Sequence, residues 1–281
     1  MSMRLRIKHT TGLTYAGSAT ASYNEVRLTP ITTPDQVVID SRLGIAPRPW
    51  SYTYWDYWGT QVTSFEVHDP HEELTVTATS TLDVHRAPGE PAGMSWEQLQ
   101  DRQLQDEHWE YLEISQRVRP GSDLIEQASS LVQGGAAPSE VAAAVCQTVN
   151  RDVEYVVGAT GVHTVAEDAW ADRKGVCQDM AHLVIGTLRS LGIPSRYVSG
   201  YLHPDPDPKV GEAVVGESHA WIEWWDGEWV GFDPTNSTHP DDRYVVVARG
   251  RDYSDVAPLT GVFSGGQTSS MFVEVEVTRL R

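Results

Sequence analysis

Apolar residues keep a period of two through residues 3–86 and then change to helical spacing. A strand points successive side chains to opposite faces, whereas a helix brings residues three and four apart onto one face, so the switch divides the chain into a strand-rich and a helix-rich part. In the first part β-branched and aromatic residues alternate in short stretches, as in Leu5/Ile7, Val26/Leu28, Val37/Ile39, Val62 to Val67 and Leu74/Val76/Ala78. Turn signals at Asp56 to Gly59 and Asp69-Pro70 punctuate them. An antiparallel sandwich or open barrel is expected there. Residues 87–95, APGEPAGMS, suit no periodic element and read as a linker. The expected organisation is a β-rich N-terminal domain over residues 1–90 and a second domain over 91–281 that ends in a β extension.

Beyond the linker, Trp96 to Leu112 is polar and Gln-rich. Ser122 to Val132 and Ser139 to Val149 have apolar residues at helical spacing, with Ser122 and Ser139 as expected caps. A short strand is expected at Val153 to Val157. Thr164 and Glu167 have the spacing of a capping box opening a short helix toward Trp170.

The segment Lys174-Gly175-Val176-Cys177-Gln178-Asp179-Met180-Ala181-His182 runs into LVIGTLRSLGIPSR. Ala181, Val184, Ile185, Leu188 and Leu191 form one stripe, and Cys177, four residues before Ala181, lies on it at the first turn. Gly192 and Pro194 close the other end. Unpaired N–H groups and the positive end of the helix dipole at that position favour thiolate over thiol. A small, inert core cysteine is the competing reading of this feature taken alone, so the partner residues decide.

Those partners lie in Ser218-His219-Ala220-Trp221-Ile222-Glu223-Trp224-Trp225-Asp226-Gly227-Glu228-Trp229-Val230-Gly231-Phe232-Asp233-Pro234, which reads as a β-hairpin turning at Asp-Gly. A two-residue loop would pair Ala220 with Asp233 and Ile222 with Gly231, a poor match of apolar with polar or empty positions. A three-residue loop, Trp225-Asp226-Gly227, pairs Ala220 with Phe232 and Ile222 with Val230, and sets His219 directly across from Asp233 on the other face. Asp233 then accepts a hydrogen bond from His219 and fixes its tautomer.

The runs GVCQDMAH, GIPSRYVSGYL, SHAWIEWW and GFDPTN, in the order Cys, His, Asp, resemble the core of the transglutaminase-like superfamily over about residues 139–240. The tail GRDYSDVAPLTGVFSGG and the β-rich first part resemble its bacterial branch, including the N-terminal domain of that branch, whose members are often described as candidate cysteine proteases. The resemblance implies an α+β fold: a papain-like core, with the Cys177 helix packed on an antiparallel sheet carrying His219 and Asp233, preceded by the β-rich domain. It also implies acyl-transfer chemistry with Cys177, His219 and Asp233 as the catalytic residues. The backbone N–H of Cys177 would meet the oxyanion, and Tyr155, or a backbone amide near the Cys177 loop, is the candidate second donor. Hydrolysis of peptide or isopeptide bonds is the favoured activity. An amine acyltransferase, either cross-linking or similar to arylamine N-acetyltransferases, and a catalytically idle binding module are the alternatives.

Other features bound the reading. A net charge of -18, from 39 acidic and 21 basic residues, argues against nucleic-acid and membrane-surface partners and leaves a protein or peptide substrate. Two cysteines, Cys146 and Cys177, are too few for a disulfide framework or a Cys-rich zinc site, and no DxDxDG-type loop offers calcium ligands. No cofactor or metal is therefore expected. Charges within MSMRLRIKHTTG occupy the place of a secretory signal's apolar core, so a cytoplasmic location is expected. Cys146, among alanines, reads as core. His182 is about 140° round the helix from Cys177, so the two cannot share a metal, and Asp179 is similarly turned away. The acidic loop at residues 203–212 reads as a solvated connector. Trp221, Trp224, Trp225 and Trp229 are expected mostly in the core, with one or two walling an acyl-binding groove.

Overall fold

The computed structural model describes residues 2–86 and 93–281, so most of the expected linker, residues 87–92, lies outside the described residues. Five strands come first: β1 (Met3–Val26), β2 (Gln36–Ala46), β3 (Trp50–Trp55), β4 (Gln61–Val67) and β5 (His71–Val84). The stretches at Leu5/Ile7 and at Val26 belong to the single long strand β1. Along one edge β1 serves two partners, β5 over Met3 to Thr14 and β4 over Ser22 to Val26. β2 continues from β5, and β3 from β4. The two-residue period does what it predicts in β5, where Leu74, Val76, Ala78, Leu82 and Val84 turn inward.

Among the described residues seven α-helices follow, α1 (Trp96–Leu99), α2 (Arg102–Glu107), α3 (Ser122–Gln133), α4 (Pro138–Asp152), α5 (Ala166–Asp172), α6 (Cys177–Ser190) and α7 (Tyr253–Val256), with a 3-10 helix at Trp109–Tyr111. The expected serine caps are not used. The N-caps of α3 and α4 are Gly121 and Ala137, neither with a side-chain cap bond, and Ser122 and Ser139 lie inside their helices. Pro138, with φ preset for a first helical position, starts α4 one residue early. The Thr164/Glu167 box does not form either: the Thr164 hydroxyl accepts from the Gly161 N–H, and α5 begins after Val165.

Helix α6 carries more than one buried stripe. Ala181, Leu183, Val184, Ile185 and Leu188 are all fully buried, because α3, α4 and α5 flank the helix while the sheet covers another side. Gly186 on α6 lies so close to the Val118 carbonyl that a Cβ there would collide with backbone. The helix stops at Leu191, and Gly192 at φ +81 reverses the chain into the next strand.

The remaining strands are β6 (Glu154–Tyr155), β7 (Lys174–Gly175), β8 (Ser195–Leu202), β9 (Ala213–Trp225), β10 (Trp229–Phe232), β11 (Tyr244–Gly250) and β12 (Leu259–Arg279). The strand expected at Val153 to Val157 is only the short β6, paired in parallel with β7. A ten-stranded sheet runs in the order β11-β8-β9-β12-β1-β4-β3, with β10 on β9, β5 on β1 and β2 on β5. β12 joins the two parts: it pairs with β1 along most of its length and with the start of β9 at Val275 to Thr278. No helix among the described residues is long and apolar enough to cross a membrane.

Candidate active site

Cys177 is the first residue of α6, after Val176 in extended conformation. Asp179, at the third helical position, accepts from the Val176 N–H at 2.8 Å and from the Thr160 hydroxyl, so a buried carboxylate ties down the helix entry. Burial pushes its carboxyl pKa up. First-turn N–H groups have no intrahelical acceptor, which leaves them and the positive end of the dipole at the Cys177 position. Both cysteines are free thiols. Cys177 is half-buried, whereas Cys146 on α4 is fully buried and burial pushes its pKa up.

The hairpin has a three-residue loop, but it is Asp226-Gly227-Glu228 and not Trp225-Asp226-Gly227. β9 and β10 pair Trp225 with Trp229, Trp224 with Val230, Glu223 with Gly231 and Ile222 with Phe232. The expected pairs Ala220/Phe232, Ile222/Val230 and His219/Asp233 are therefore slipped by two residues. A slip of two keeps every side chain on its face, so an apolar pair, Ile222/Phe232, still packs against the core. The cause is tertiary: the Asp226 carboxylate accepts the backbone N–H groups of Met94 at 2.7 Å and Gly93 at 3.1 Å. That contact holds Asp226 at the start of the loop, and Gly227 takes the positive φ of +82 at its centre.

Asp233 consequently lies one residue past the last paired position, and reaches His219 diagonally rather than straight across. His219 Nε2 donates to Asp233 Oδ2 at 2.7 Å. That oxygen also accepts from Asn236 Nδ2 at 2.7 Å and the Tyr244 hydroxyl at 2.8 Å, while Oδ1 accepts the Thr235 N–H at 2.8 Å. Sequence reasoning missed Asn236 and Tyr244. The spacing of Asn236 three residues after Asp233 is a turn signal that marks it, whereas Tyr244, on β11, has no local signal. Asp233 is fully buried. Its burial favours the neutral acid, but His219, Asn236 and Tyr244 outweigh that and lower its pKa.

Cys177 lies close enough to the imidazole to act on its titration, and with Nε2 bonded to Asp233 the ring nitrogen left for the sulfur is Nδ1. Burial of His219 works against its charge. The bonds and charges of Asp233 and Cys177 prevail and raise its pKa from 6.5 to about 10, so His219 is an imidazolium near neutral pH. Tyr155 also stands at this site: burial first, then the nearby Cys177 and Glu217, push its pKa up to about 12. His182 and Asp179 do not join the three. His182 is fully buried on the far side of α6, where its Nε2 accepts the Tyr253 N–H at 3.2 Å and burial lowers its pKa to about 3. Gln178, buried next to Cys177 with its amide nitrogen unpartnered among the described residues, carried no sequence signal of its own. Trp221 and Trp224 are core; Trp225 and Trp229 are half-buried and pack edge to face at 5.4 Å. Most residues from 204 to 212 are exposed, as a connector should be.

A helix that starts at a cysteine, packed on an antiparallel sheet whose hairpin brings a histidine onto an aspartate, defines a papain-like α+β fold. The chain belongs to the transglutaminase-like superfamily. Residues 125–234 match the description of that superfamily, and residues 5–83 match the bacterial transglutaminase-like N-terminal region. An uncharacterized protein of Mycobacterium leprae is 42% identical over 277 residues, covering 99% of both chains. A protein-glutamine gamma-glutamyltransferase of Pseudomonas aeruginosa is 31% identical over 140 residues, which span 47% of this chain and 21% of that enzyme. The crystal structure of a candidate cysteine protease from Cytophaga hutchinsonii shares the fold, with a TM-score of 0.75 at 23% identity, covering 100% of this chain and 93% of that one.

Proposed function

We propose that the protein is a thiol-dependent acyl-transfer enzyme that hydrolyses peptide or isopeptide amide bonds through a thioester on Cys177. The observation that carries the reading is His219, hydrogen-bonded to buried Asp233 and near enough to Cys177, at the start of its helix, for the sulfur to raise its pKa. The Cys177 thiolate attacks the amide carbonyl carbon, and the C–N bond breaks as the His219 imidazolium gives its proton to the departing amine, leaving the thioester. Water, losing a proton to the now neutral His219, then splits the thioester and releases the acid. The oxyanion is met by the Cys177 N–H and, in this reading, by the Tyr155 hydroxyl, which stays protonated with a pKa near 12. Transfer to an amine is the second reading, favoured by the similarity to the Pseudomonas aeruginosa gamma-glutamyltransferase. A protein or peptide substrate in the cytoplasm belongs to the same proposal, supported by two free thiols and no disulfide.

The test is intact-mass analysis after mixing with a panel of peptide amides, with and without added amine. A thioester adduct on Cys177 is expected, lost in Cys177→Ser while the fold remains. On an identified substrate, residual turnover should rank Asp233→Asn above His219→Ala, with Cys177→Ser lowest. Turnover at the wild-type rate by a folded Cys177→Ser variant would refute the covalent mechanism.

A further inference from the structure

A cleft of about 1340 Å³ is lined by residues other than Cys177, His219 and Asp233. It opens between the strand-rich part and the hairpin, where Val38 of β2 and Thr53 and Trp55 of β3 face Trp229 of β10. Its floor is formed by Arg86, Arg196 and Arg249 around Glu223. Glu223 is four residues from His219 on β9, hence on the same face and about 13 Å along the strand.

Burial decides the electrostatics of this cleft. The Arg86, Arg196 and Arg249 side chains are 12%, 14% and 18% exposed, and the one carboxylate among them, Glu223, is 7% exposed. Arg196 and Arg249 both bind Glu223, and burial of that carboxylate is outweighed by the two cations, which lower its pKa to about 2. One carboxylate thus serves two guanidiniums, and Arg86 is left with Asp35 at 3.6 Å, the Tyr244 carbonyl at 3.4 Å and an Nε without a partner among the described residues. Of the other carboxylates lining the cleft, Glu228 is exposed and Asp35 is half-buried, so water screens both in part. A chain of net charge -18 therefore gathers three largely buried arginines at this place, and among the described residues the carboxylates beside them are Glu223, Asp35 and, at the Arg86 N–H, Asp242. Arg196 also stacks on Trp229 at 3.9 Å, which fixes its fork.

Size and backbone point to the occupant. The volume exceeds the roughly 300–1,000 Å³ of a small-molecule pocket. Among the described residues β2 and β3, which flank the cleft, each pair with one strand, β5 and β4, so each offers an edge of N–H and C=O groups. We propose that the cleft binds an extended acidic peptide segment, with a carboxylate side chain on the Arg86, Arg196 and Arg249 floor and its backbone beside the edge of β3. This site is separate from the Cys177 centre and does not depend on its chemistry.

The experiment uses full-length Cys177→Ala protein and fluorescence anisotropy with two end-blocked, fluorescein-labelled octapeptides, one alternating Glu and Val, the other with Gln for each Glu. The acidic peptide should bind about tenfold or more tightly than the Gln peptide, as charge-assisted bidentate bonds exceed neutral ones, and added salt should weaken it. Arg86→Gln should lower its affinity about tenfold. Trp55→Ala, at an exposed position that does not endanger folding, should lower it several-fold. Equal binding of the two peptides, affinity unchanged by both substitutions, equimolar displacement by free glutamate or inorganic phosphate, or no binding at all would each overturn the proposal.

Discussion

Replacing Asp233 by Asn keeps the shape and removes the charge on which His219 depends. In the native chain the imidazolium is raised from 6.5 to about 10 against the opposing effect of its own burial. A folded pKa above the unfolded one stabilises the native state fully below about 6.5, and that contribution is lost as pH rises through about 10. The rise is shared between Asp233 and Cys177, with the Asp233 hydrogen bond the largest of the causes that raise it. Breaking one partner of a buried pair costs about 3 kcal/mol or more, which agrees with the larger part belonging to Asp233. The amide adds a second fault: whichever way it is turned, its NH2 faces N–H or O–H donors from Thr235 or from His219, Asn236 and Tyr244. Urea denaturation of wild type and Asp233→Asn should therefore show a loss of roughly 3 kcal/mol at pH 6. The gap should narrow steadily toward pH 10 and leave only the misdirected amide. A constant difference between pH 6 and pH 10, or a loss below about 1 kcal/mol at pH 6, would refute the argument that charge pairing sets the His219 pKa.

Two further outcomes follow from burial and packing. Limiting iodoacetamide with peptide mapping should modify half-buried Cys177 well before fully buried Cys146, since access and thiolate fraction govern the rate; equal labelling would remove the case for a special thiol. Gly186→Ala should destabilise by about 1–3 kcal/mol in denaturant titration, although alanine is the better helix former by about 1 kcal/mol, because the added methyl meets the Val118 carbonyl; a more stable variant would show that this approach can relax.

The amino-acid sequence by itself determined those features that depend on neighbours a few residues away. Alternation in residues 74–84 is a property of the pleat, the stripe from Ala181 to Leu188 is a property of the helix turn, and both survive in β5 and α6. Cys177 at a helix start and His219 and Asp233 on one face of a hairpin were legible for the same reason, because even-numbered shifts of register do not change a strand's face. What local spacing left open was decided by groups far apart in the chain. The loop begins at Asp226 because Gly93 and Met94 supply its hydrogen bonds, so the register moved by two and Asp233 came to His219 diagonally. Tyr244 reaches Asp233 only once β11 lies on β8, and β1 becomes one long strand because β12 returns from the C-terminal end to pair with it. Arg86, Arg196 and Arg249 carry no common motif, and they converge on Glu223 only in the assembled sheet. A buried charge must find its partner wherever the fold brings one, and that search is made in space, without regard to sequence distance.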